Sequence, residues 1–77
     1  MEEKITAWIA RNINGDLNVY TDEPHKGNNI WHLEMFNKGR YFAIQRQAFP
    51  QVKWEDKEPT EVELTIKIKE QYEKDNV

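Results

Sequence analysis

The chain contains no cysteine and no serine. The first absence removes disulfides and thiolate metal sites as ways of holding a small fold together. The two together remove the side chains that most often act as activated nucleophiles. Threonine does not replace them, because Thr6, Thr21, Thr60 and Thr65 all fall in strand-like or linker contexts. Glycine occurs three times, scattered, with none in a phosphate-cradling motif. No apolar run is long enough to cross a membrane, and the start Met1-Glu2-Glu3 lacks the apolar stretch of a secretory signal. An excess of basic charge is also missing: the net charge is −3, which argues against a general nucleic-acid binder. A cytoplasmic protein with no cofactor and no metal is the expectation.

What is present is a short chain rich in aromatics. Seventy-seven residues suffice for one domain. A domain of this size buries only about 60% of its unfolded surface, so three each of Trp, Tyr and Phe must carry much of the core. A homodimer would supply further burial. The most regular stretch is Val62 to Ile68, where Val62, Leu64, Ile66 and Ile68 alternate with Glu63, Thr65 and Lys67. Period two marks a strand with one buried face. Before it, Phe49, Val52 and Trp54 lie between Pro50 and Pro59, which interrupt regular structure and mark an apolar clamp leading into the last strand.

Along the chain, Lys4 to Arg11 and Leu17 to Thr21 read as a hairpin. A two-residue Asn14-Gly15 turn would set Ile9 opposite Tyr20 and mix the faces. A three-residue loop, Ile13-Asn14-Gly15 with Gly15 left-handed, pairs Ile9 with Val19 and Trp8 with Tyr20, separating aliphatics from aromatics. Asp22 to Asn29 reads as a loop. Ile30 to Phe36 and Tyr41 to Gln45 read as a second hairpin about Asn37–Arg40, pairing Met35 with Phe42 and setting Phe42 and Ile44 beside Trp31 and Leu33. Gln45 to Phe49 allows one helical turn.

The fold class expected is all-β: a small five-stranded antiparallel sheet over residues 1–68, strongly twisted or barrel-like, with at most one short helical turn. Residues 69–77 form a polar C-terminal tail, frayed or disordered. No helix is available to cover an open face, so the sheet must curl, use residues 45–58 as a lid, or dimerise. Strand order between the hairpins stays open.

Four segments carry a resemblance: Ile5 to Arg11, Asn14-Gly15-Asp16-Leu17, Phe49 to Asp56, and Glu58 to Leu64. With them the chain resembles a family of short uncharacterised proteins of gut bacteria, their phages and mobile elements. The family pattern is W-x-A-R…G-x-L near the start and L-F-P-x-V-x-W-E-D-x-E-P-x-E-V-E-L near the end. Ala48 stands where the pattern has Leu, and the middle of the chain is not covered. The resemblance implies an accessory protein of a phage or mobile element and transfers no site.

Candidate chemistry is thin. His25 and His32, with Glu23 or Glu34, match no metal spacing and read as surface residues. Glu55, Asp56, Glu58, Glu61 and Glu63 form an acidic run without a calcium-loop pattern, which reads as a solvated edge guarding against aggregation. Trp8, Tyr20, Phe36 and Tyr41 fall on the faces opposite the aliphatic stripes. Either they form a second small core or pack under the 45–58 lid through Trp54, or they make an exposed platform with Arg11, Lys38 and Arg40 beside them. No nucleophile–base pair is visible, and a sheet this small offers little room for a water-excluding pocket, so a non-enzyme is expected. The leading expectation is a protein-interaction module with another protein as partner. The alternatives are single-stranded nucleic-acid binding on the aromatic face and a self-assembling structural protein.

Overall fold

The computed structural model describes residues 2–35 and 38–69. Six strands follow in chain order: β1 (Glu2–Arg11), β2 (Leu17–Tyr20), β3 (His25–Lys26), β4 (Trp31–His32), β5 (Tyr41–Ile44) and β6 (Thr60–Lys67). They form an antiparallel four-stranded sheet in the order β5-β2-β1-β6 and a two-stranded sheet of β3 and β4. The all-β expectation holds, and no helix occurs among the described residues. The larger sheet is open, not a closed barrel, and the strands divide as four and two where one sheet of five was expected. The expected helical turn is a simple turn in which the Ala48 amide donates to Gln45 O at 3.0 Å.

The first hairpin has the anticipated register, with Trp8 opposite Tyr20 and Ile9 opposite Val19. Its loop closes through Asn12 N to Asp16 O at 2.8 Å and Gly15 N to Asn12 O at 2.9 Å. Gly15 has φ 98°, the left-handed conformation that this loop requires and that a side chain would strain.

The second hairpin is a correction. Expected to pair with 30–36, Tyr41–Ile44 pairs with β2, Tyr41 opposite Tyr20 and Phe42 opposite Val19. Residues 21–40 are therefore an excursion between two neighbouring strands. Its ends are tied by Thr21 N to Arg40 O at 2.9 Å and Arg40 N to Thr21 Oγ1 at 2.8 Å. Within it, His25 pairs with His32 and Lys26 with Trp31, so part of the expected loop is strand. Phe42 and Ile44 consequently do not share a face with Trp31 and Leu33.

Two clusters sit on opposite faces. One joins Ala7, Ile9, Leu17 and Val19 with Val52, against which Ile44, Ala48, Val62 and Leu64 pack. The other joins Ala10, Tyr20 and Trp31, flanked by Trp8, Leu33 and Trp54. The clamp contributes to both through Val52 and Trp54, while Phe49 stays about half exposed. From Glu2 to Ala7, β6 is the one strand beside β1 among the described residues, so the two strands project as a ribbon.

Candidate functional site

Cross-strand register builds the aromatic face row by row. Glu61, Trp8, Tyr20 and Tyr41 stand side by side on β6, β1, β2 and β5. The Tyr20 and Tyr41 rings stack at 5.8 Å with 26° between their planes. The next row on that face is Ala10, Asn18 and Ala43. Its small residues leave the space that Trp31 fills. Trp31 is held there by three hydrogen bonds: its amide donates to Asn12 Oδ1 at 2.8 Å, its Nε1 to Arg11 O at 3.1 Å, and its carbonyl accepts from the Tyr20 hydroxyl at 3.3 Å. Each satisfies a polar group that burial would otherwise penalise.

The excursion is pinned from the other side by Lys26. Its ammonium lies 4.3 Å from the Trp54 ring centre and 5.7 Å from that of Trp31. It also donates to Trp54 O at 2.5 Å and Asp56 O at 2.9 Å.

Of the sequence-derived candidates, Trp8 is half-buried against the second cluster, and Tyr20, 1% exposed, is core. Tyr41 is 65% exposed, and Lys38 and Arg40 are exposed near it. Phe36 lies outside the described residues. Tyr20 is therefore unavailable as a platform, and the second-core reading describes Trp8 and Tyr20. Arg11 is likewise committed internally. Its five N–H groups donate to Val52 O at 2.6 Å, Gly15 O at 2.9 Å, Arg46 O at 2.8 Å, Ala48 O at 2.9 Å and Phe49 O at 3.1 Å. A guanidinium has five such donors, so none remains for a ligand.

Between the excursion and the sheet lies an open cleft of about 420 Å³, lined by Asn18, Ile30, Trp31, Leu33, Arg40 and Tyr41 among others. The excursion builds one wall of this open cleft, a wall that alternation along the strands could not reveal. The cleft combines apolar walls with a buried amide, Asn18, and an exposed cation, Arg40. The sequence signal for it is Asn18, a polar side chain inside the strand-forming stretch Leu17–Tyr20.

His25 and His32 are cross-strand neighbours with ring centres 6.3 Å apart, and His25 Nε2 lies 3.1 Å from a Glu34 carboxylate oxygen. Among the described residues no group of three or more His, Asp or Glu is placed to hold a metal ion. No helix among them is long and apolar enough to cross a membrane.

No protein-family model matches the chain, no curated protein matches it, and no solved structure matches its fold.

Proposed function

We propose that the chain is a small, non-enzymatic protein-binding module that takes an extended segment of another protein. The observation carrying this reading is that the cleft opens beside Tyr41, the first residue of β5, and β5 is an edge of the four-stranded sheet. An extended peptide added to that edge gains main-chain hydrogen bonds from β5 and places an apolar side chain between Trp31 and Tyr41. Exposed Tyr41 and Phe42 supply contact area on the two faces of the strand, and Arg40 favours an acidic residue or a terminal carboxylate on the partner. A volume near 420 Å³ accepts one large side chain or a short turn of chain. The absence of serine and cysteine supports binding rather than catalysis. The family resemblance adds the setting, an accessory protein of a phage or mobile element acting on a protein of its host.

Selection from a displayed random-peptide library tests this. Selected peptides should share an apolar anchor, shift the amide resonances of Tyr41–Ile44, and lose binding in Tyr41→Ala with the fold retained. Failure to select any sequence, or resonance shifts confined to other strands, rejects the proposal.

A further inference from the structure

The opposite edge of the sheet carries a different pattern. β6 and the two residues after it read Glu61-Val62-Glu63-Leu64-Thr65-Ile66-Lys67-Ile68-Lys69. Thr65 is the centre. Apolar residues stand at equal offsets on both sides of it, and every acidic residue on one side has a basic counterpart on the other. β6 pairs with β1 along one side only, and among the described residues no strand lies on its outer side.

We infer that β6 is a self-complementary dimerisation edge, whose occupant is β6 of a second copy, antiparallel about a two-fold axis at Thr65. In that register Glu61 faces Lys69 of the second copy and Glu63 faces Lys67, giving four Glu–Lys pairs by symmetry. On the other face Val62 meets Ile68 and Leu64 meets Ile66. Facing residues in such pairs are about 4.5–5.5 Å apart, close enough for all of these contacts.

Other registers fare worse. Shifting by one residue sets apolar side chains opposite charged ones, because the strand period is two. Centring on Leu64 keeps Glu61 facing Lys67 but sets Glu63 against Thr65. Centring on Ile66 keeps Glu63 facing Lys69 but sets Lys67 against Thr65. Each loses half of the ion pairs. Parallel pairing in register sets like charges side by side. The charge order thus permits one closed pairing and opposes open stacking, which is what distinguishes it from a uniformly charged protective edge.

The ribbon gives the pairing a purpose. Where β1 and β6 project beyond β2 they are two-stranded, and Ile5, Ile66 and Ile68 on one face are 40%, 51% and 56% exposed. Two strands alone are marginal in water. Antiparallel joining lays the ribbon of each copy against that of the other, makes the middle four-stranded, and leaves both β5 edges open for partners.

Reversed-charge variants test the pairing without changing the apolar face. The wild type should sediment as a dimer at about 100 µM. E61K/E63K and K67E/K69E should each associate at least tenfold more weakly, since each sets like charges opposite one another. An equimolar mixture of the two restores all four pairs and should sediment as a heterodimer, which also shows that both variants fold. In a chain with no native cysteine, Thr65→Cys should form an intermolecular disulfide under mild oxidation, and Thr6→Cys should not. A monomeric wild type, a dimer indifferent to either charge reversal, or a mixture that stays monomeric overturns the inference.

Discussion

The guanidinium of Arg11 holds the carbonyl of Phe49 at 3.1 Å, and Phe49, a non-glycine residue, has a φ of 50° in the left-handed region. That conformation costs a bulky residue about 1–2 kcal/mol. It persists because its carbonyl also accepts from Val52 N at 3.0 Å, and because Arg11 fixes the carbonyls of Ala48 and Val52 on either side. The strained turn and the guanidinium together press Val52 and Ala48 onto the aliphatic face.

Arg11→Lys should therefore be far from conservative. A lysine has three donors on one atom and cannot span five carbonyls. Loss of several charge-assisted bonds to half-buried carbonyls should lower stability by about 2–4 kcal/mol, measured by urea unfolding. Amide exchange should rise most across residues 45–56. A change below about 0.5 kcal/mol, the range of ordinary surface substitutions, would show that the guanidinium is not the anchor.

Gly15→Ala tests the hairpin register. A Cβ at φ 98° is strained, and it would meet the guanidinium of Arg46, which donates to Asn14 O and lies 3.5 Å from Asp16. The expected loss is about 1–2 kcal/mol by urea unfolding. An unchanged midpoint would mean that the turn is not left-handed at this position.

How far the sequence reached follows from these residues. The β1–β2 register was legible because a local loop, a glycine and the separation of Ile9 from Trp8 all agreed. The partner of Tyr41–Ile44 was not, because its alternation fits either 30–36 or β2. What decides is the closure between Thr21 and Arg40, 19 residues apart, which leaves no local pattern. The fate of Arg11 was hidden for the same reason: its partners Arg46, Ala48, Phe49 and Val52 lie 35 to 41 residues away. Face assignment for Trp8, Tyr20 and Tyr41 succeeded, since period two places side chains whatever the strand order. Whether that face was covered depended on Trp31, whose docking needs the excursion.

Lys26→Met probes how the excursion is held. The substitution keeps the apolar stem but removes the charge over the Trp54 and Trp31 rings and both donations to the 54 and 56 carbonyls. The cation–ring contact contributes about 0.5–1 kcal/mol at an exposed site, and the hydrogen bonds about as much again. Stability should fall by about 1–2 kcal/mol, and tryptophan emission should become easier to quench with acrylamide as Trp54 loosens. Unchanged quenching would place the anchor of the excursion elsewhere.

Tyr20 makes the fold sensitive to alkali. Burial raises its hydroxyl pKa above the ordinary 10.0; the Asn18 side chain opposes this, and neighbouring Tyr41 adds to it. The folded chain therefore keeps this proton at pH values where the unfolded chain has released it. Above the unfolded value, stability falls as pH rises until the folded value is passed; below it, the contribution is complete. The slope from one such group is at most about 1.4 kcal/mol per pH unit. Tyr20→Phe has nothing to ionise there. At neutral pH it should be less stable by about 1 kcal/mol, for loss of the bond to Trp31 O. Urea midpoints followed from about pH 8 to about pH 11 should then converge, the wild type falling more steeply because the remaining ionisable groups are common to both chains. Parallel curves would mean that water reaches the Tyr20 hydroxyl in the folded protein, and that Trp31 does not seal the second cluster.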